Sequence, residues 1–73
     1  MVITVRSWTG QEARVLRAAR RMSIRGFAEY LGVNERVVSN WEARGTTITP
    51  RPVNQQALDT CLSEASHEER SRF

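Results

Sequence analysis

Apolar residues recur along this chain with helical rather than strand spacing. Ile24, Phe27, Ala28 and Leu31 stand at i, i+3, i+4 and i+7. That single stripe predicts a short helix, capped by Ser23 and stopped at Gly32, where a positive φ is easily reached. Upstream, Thr9 is a good N-cap, Glu12 follows as the third residue of a capping box, and Trp8 with Ala13 can form a hydrophobic staple. Val15, Leu16, Ala19 and Met22 then carry the stripe of a first helix ending near Arg21, with Arg14, Arg17 and Arg21 on the opposite sector.

Asn34 caps a third helix running to Ala43 or Arg44, with Val33 and Val38 at the staple positions. Val38 and Trp41 point to one side of it; Arg36, Val37, Asn40 and Arg44 lie on the other. Gly45 closes that helix, and Gly45–Pro52 reads as a loop stiffened by Pro50 and Pro52. A last helix begins near Val53 and carries Val53, Ala57, Leu58, Cys61, Leu62 and Ala65 at helical spacing. The charged stretch Glu64–Phe73 either extends that helix or frays. At the other end, Met1–Val5 is β-branched and too short for a helix. It either pairs with Thr46–Thr49 as a small ribbon or forms a disordered arm.

At 73 residues the chain is one domain, and it buries only about 60–65% of its unfolded surface. A single Cys and a single His exclude a disulfide framework or a zinc site built within one chain, so no metal or cofactor is expected. The longest uncharged run, Pro52–Leu58, is far short of the roughly 20 residues needed to cross a bilayer. Met1–Trp8 lacks the layout of a signal peptide. These features predict a soluble, cytoplasmic protein with no membrane partner.

Charge adds more than its total of +3. All 11 basic residues are Arg, a side chain suited to phosphates and guanine edges, although GC-rich coding produces the same bias. Residues 1–56 hold nine Arg against four Glu, a net +5, whereas residues 57–73 hold two Arg against four acids, a net −2. That asymmetry suits a polyanion-binding face with an acidic tail.

Two short helices joined by a tight, Gly-started turn leave one face of the second exposed. Here that face carries Glu35, Arg36, Val37 and Asn40. In a major groove, Arg binds guanine O6 and N7, Asn binds adenine N6 and N7, Glu accepts from cytosine N4, and a Val methyl meets that of thymine. A solvated face of any small bundle has a similar composition. Other candidates are bland: Cys61 and Trp41 fall on apolar stripes, His67 sits in the charged tail, and Ser39 has no base within reach. No catalytic constellation is present, so the chain is not expected to be an enzyme.

The segment Ser23–Glu42, SIRGFAEYLGVNERVVSNWE, resembles the helix-turn-helix of the Cro/CI-like (XRE-like) repressor family. Phe27-Ala28, Leu31-Gly32-Val33, Asn34, Val38-Ser39, Trp41-Glu42 and Gly45 carry the resemblance. Leu16-Arg17 upstream and the proline-led amphipathic helix downstream extend it over roughly residues 9–65. It implies an all-α, four- to five-helix lambda-repressor-like fold: an arm at residues 1–8, a DNA-binding domain at 9–65 with its motif at 23–44, and a charged tail at 66–73.

The resemblance further implies that Glu35, Arg36, Val37 and Asn40 face base edges. Ser23, with the helix start it caps, together with Arg44, Thr46, Thr47 and Arg51, would contact phosphates. Arg17 and Glu42 match an internal ion pair. The family has Gln where this chain has Ile24; here Ile24 joins the core and Arg25 takes over the phosphate. Gly26 is a poor mid-helix residue, costing about 0.5–1 kcal/mol relative to Ala. The implied protein is a small bacterial, phage or plasmid-encoded transcriptional regulator, most simply a repressor. It would bind double-stranded DNA as a homodimer on an inverted repeat, with the dimer surface formed by its last helix and tail or by its N-terminal arm. A second reading is a protein-interaction module on the same fold, antitoxin-like or regulatory, whose acidic tail and Trp8 hold a protein partner.

Overall fold

The computed structural model describes residues 7–73, and these form five α-helices with no strand among them. They are α1 (Gly10–Ala19), α2 (Ile24–Leu31), α3 (Glu35–Arg44), α4 (Pro52–Ser63) and α5 (His67–Arg72), with a 3-10 turn at Gly45–Thr47. The all-helical class is therefore as expected. The suggested ribbon of Met1–Val5 lies outside the described residues.

Local chemistry accounts for most boundaries. Glu12 Oε1 accepts from both the N–H (3.0 Å) and the hydroxyl (2.7 Å) of Thr9 at the head of α1. Ser23 Oγ accepts from Gly26 N–H at 2.9 Å, and Asn34 Oδ1 from Arg36 N–H at 2.8 Å, so α2 and α3 start at their caps. Pro52 opens α4, where its missing N–H has no cost.

α1 and α2 end in the same way. At the end of α2, Gly32 (φ 75°) and Val33 donate back to Glu29 O and Ala28 O. At the end of α1, Arg21 (φ 55°) and Met22 donate back to Ala18 O and Arg17 O. Both are left-handed closures that satisfy orphan carbonyls; one is built on glycine and the other on arginine.

The core joins α1, α2, α3 and α4, and Phe73, just past α5, packs against it. Trp8, Leu16, Phe27, Val38, Leu58 and Cys61 are fully buried, with Trp41 and Leu62 beside them. Two expectations need correction here. Val53 was expected on the apolar stripe of the last helix but is 69% exposed. The core residues of α4 begin only at Leu58; its first turn meets the body through the polar Asn54 and Gln55. The stretch after Glu64 neither extends α4 nor frays. Ser66 caps α5 by accepting from Glu69 N–H (3.1 Å), while Glu69 accepts from Ser66 N–H (2.8 Å).

The 66–73 stretch is thus a docked helix and not a tail. Arg72 Nε donates to Ala19 O (2.8 Å), Arg70 to Ser63 O (2.9 Å), and the Phe73 ring lies 5.9 Å from that of Trp8.

Trp8 does more than staple α1. Its N–H donates to Gln55 Oε1 (2.7 Å), its carbonyl accepts from Gln55 Nε2 (2.9 Å), and its indole N–H donates to Asp59 Oδ1 (2.8 Å). The residue is 1% exposed, and its backbone N–H, carbonyl and indole N–H are all engaged within the fold. Glycine is required at Gly10, where α1 meets the end of α3. A Cβ there would stand 2.0 Å from Trp41 O and 2.7 Å from Trp41 C. At Gly26 a Cβ would meet only Ser23 Oγ, at 3.1 Å, and nothing in the structure explains the glycine.

Candidate nucleic-acid interface

α3 is held by its inner side. Val38 and Trp41 are buried, and at 100° per residue the sector opposite them carries Arg36, Ser39, Asn40 and Ala43, all exposed. Glu35, also exposed, stands in the first turn beside that sector, where a carboxylate suits the positive helix end. The structure thus brings Glu35, Arg36 and Asn40 onto one open surface. Ser39 and Ala43 belong to it as well; their helical angle relative to Arg36 and Asn40 was the available signal.

Val37 departs from the expectation. It is half-buried against the core and lines an open cleft of about 440 Å³ with Val33, Trp41, Ile48, Arg51 and Asn54. At 100° per residue it falls toward the chain that returns after the 3-10 turn, away from the line of Arg36 and Asn40.

The residues expected to contact phosphates stand at the start of α2 and in the stretch from the end of α3 to the start of α4. Ser23 and Arg25 are exposed at the start of α2, whose first turn holds no acid. Arg44 ends α3; Thr46 and Thr47 follow on the 3-10 turn, where Thr47 Oγ1 donates to Arg44 O (2.7 Å). Arg51 stands exposed just before α4. Ile24 is partly buried against the core and Arg25 is 77% exposed, tied only loosely to Glu29 at 3.4 Å.

Arg17 fixes α3 to the body. It donates to Glu42 through Nε (2.6 Å) and Nη2 (3.0 Å), and Nη1 reaches Met22 O (2.9 Å). This forked pair is three-quarters or more buried at both partners, and the hydrogen bond to Glu42 raises the Arg17 pKa further above its ordinary value. The same brace therefore sets the α1–α2 turn relative to α3.

A second arginine is structural too. Arg20 lies 4.9 Å over the Tyr30 ring, donates to Cys61 O (3.2 Å) and approaches Glu69 at 3.4 Å. Burial opposes its charge, yet hydrogen bonds with Tyr30 and Cys61 and the charge of Glu69 raise its pKa overall. Tyr30 in turn donates to Glu64, which pushes the phenol pKa up.

The charges thus divide by use. Glu12, Glu42, Asp59, Glu64 and Glu69 are all engaged by groups of the fold. Arg21, Arg36, Arg44 and Arg51 are exposed and pair with no acid among the described residues. Glu29, Glu42 and Glu69 are paired with arginines, Glu12, Asp59 and Glu64 accept from uncharged donors, and Glu35 and Glu68 have neither kind of partner among the described residues.

The described residues contain no helix long and apolar enough to cross a membrane. Among known proteins, no family model, no curated protein and no solved structure matches this chain.

Proposed function

We propose that this protein is a sequence-specific double-stranded-DNA-binding protein of the Cro/CI-like helix-turn-helix type, a small transcriptional regulator acting most simply as a repressor. α2, its left-handed Gly32 turn and α3 form the helix-turn-helix, and α3 enters the major groove. One observation carries the reading. α3 is fixed from behind by Val38, Trp41 and the Arg17–Glu42 fork, while its outer face and flanks hold Asn40 and Arg36, Arg44 and Arg51, whose guanidinium groups form no ion pair among the described residues, with Glu35 the one acid beside them.

In this reading Arg36 and Asn40 read base edges, with Glu35 beside them. Ser23 with the start of α2, Arg25, Arg44, Thr46, Thr47 and Arg51 hold phosphates. Val37 contributes through its exposed edge alone. The protein-partner reading loses two of its supports, because Trp8 is buried and three of the four C-terminal acids are engaged within the fold.

A single copy offers a small interface, so two copies on an inverted repeat are needed for tight binding, with half-sites about 34 Å apart or a multiple of that. Phe73 packs on Trp8 of its own chain, which leaves the outer faces of α4 and α5, or the N-terminal arm, to form the dimer. The test is selection of the protein on randomised duplex DNA at physiological salt. An enriched inverted repeat, with preference at one base pair relaxed by Arg36→Ala, is the expected result. A folded protein that enriches no sequence refutes the proposal.

A further inference from the structure

We propose that Arg21 is an additional DNA-phosphate contact, held in place by a strained backbone closure; the inference rests on the DNA reading above. The chain uses one helix ending twice. Each ends α1 or α2 with a left-handed residue whose N–H returns to the carbonyl three residues back, followed by a residue whose N–H returns five residues back. At the end of α2 that left-handed residue is Gly32 (φ 75°), which adopts it without steric cost. At the end of α1 it is Arg21 (φ 55°), the one non-glycine with positive φ among the described residues.

A Cβ in that region crowds the following backbone, and glycine is the usual solution. Nothing in the fold repays the arginine. Its side chain is exposed, makes no hydrogen bond and pairs with no acid among the described residues, unlike Arg17, Arg20, Arg70 and Arg72. A residue that strains the backbone and serves no internal contact is suited to an external one.

The position is also fixed with respect to the reading helix. Arg17 binds Met22 O, the residue after Arg21, and with the same guanidinium forks onto Glu42 of α3. The Cα of Arg21 is therefore tied to α3 through one side chain and cannot drift as an ordinary loop residue would. It stands two residues before Ser23 and four before Arg25, next to the acid-free first turn of α2. A cation at that place extends the phosphate-binding flank of the proposed surface by one site, on the α1 side of the motif.

The test measures affinity for duplex DNA against salt, for the wild type and for Arg21→Gly, Arg21→Asn and Arg21→Lys. Glycine and asparagine accept the left-handed backbone while removing the charge; lysine keeps the charge. One phosphate contact contributes about 0.9 to the slope of log K against log salt, so its advantage shrinks about 3.5-fold between 50 and 200 mM. Arg21→Gly and Arg21→Asn are expected to lower the slope by about that amount with unchanged sequence preference, and Arg21→Lys to retain it.

Arg21→Gly is also expected to keep or raise the Tm, which separates lost contact from lost fold. Wild-type binding with an unchanged slope in Arg21→Gly overturns the inference and leaves the DNA reading standing. Equal loss in all three variants with an unchanged slope overturns it as a structural effect. A wild type that does not bind duplex DNA at low salt overturns both.

Discussion

Adding one methyl group at Gly10 is expected to do more damage than most changes in the core. The Cβ of Gly10→Ala would lie 2.0 Å from Trp41 O, 2.7 Å from Trp41 C and 3.0 Å from Gly45 O. All three atoms are backbone, so no side chain can rotate away. Ordinary contact is 3.4 Å or more, so the start of α1 must retreat by over an ångström from the end of α3. That retreat breaks the hydrogen bond from Gly10 N–H to Ile48 O, now 3.1 Å, and loosens the α1–α3 contact that Arg17 and Glu42 complete.

Overpacking of this kind costs about 1–3 kcal/mol and a lost hydrogen bond about 0.5–1.5 kcal/mol, together about 3 kcal/mol. A domain of this length has a total stability of only about 4–11 kcal/mol. The expected fall in Tm, followed by circular dichroism, is about 12–24 °C. Gly26→Ala is the matched control: its Cβ meets only the terminal Ser23 Oγ, so its effect should stay within about 1 kcal/mol of zero. A Gly10→Ala protein melting within about 3 °C of the wild type would refute the close approach of α1 and α3.

Removing the partner of Arg17 is the next test. Glu42→Ala leaves a largely buried guanidinium with only Met22 O, and should cost about 2 kcal/mol in urea denaturation, between the values for exposed and buried pairs; a loss under about 0.5 kcal/mol would make the fork ornamental. Hydrogen bonding from Ser66 N–H lowers the Glu69 pKa below its ordinary 4.5. Its contribution is therefore present above about pH 4.5 and lost as pH falls through the lower folded value. The stability–pH profile of Glu69→Gln should be flatter than that of the wild type below pH 5, and parallel profiles would exclude the effect. Burial raises the Cys61 thiol pKa, so the native protein at pH 8 should leave a disulfide thiol reagent unreacted until urea exposes one thiol per chain. Immediate reaction in native buffer would place Cys61 outside the core.

What the sequence made legible was local. Ser23, Asn34 and Gly32 act within three residues of themselves, and the stripe Ile24–Phe27–Ala28–Leu31 needs only helical geometry to point inward. The boundaries of α2 and α3 followed from these. α5 was missed although its capping box, Ser66 with Glu69, stands in the sequence. A six-residue helix is too short to form on local preference, and it is held by docking onto Ala19 O and Trp8 from far along the chain. Trp8 was legible as a staple but not as a clamp, since Gln55 and Asp59 are 47 and 51 residues away. Gly10 carried no signal at all, because what makes it necessary is the backbone of Trp41.

The candidate surface divides along the same line. Arg36 and Asn40 could be placed from helix angle alone, whereas Val37 turned partly inward because the chain returning through Ile48 and Arg51 closes over its side of α3. Charge shows the same limit more sharply. Counting along the chain separates a basic first part from an acidic last part, and suggests a tail free to bind something. Folding gives Asp59, Glu64 and Glu69 to Trp8, Tyr30 and Arg20, while Arg36, Arg44 and Arg51 keep theirs for solvent. Three acids of the acidic segment are thereby engaged in holding the bundle, while the arginines on and beside the outer face of α3 pair with no acid among the described residues. The proposed polyanion partner rests on which charges the fold leaves over, a quantity that a net charge of +3 does not contain.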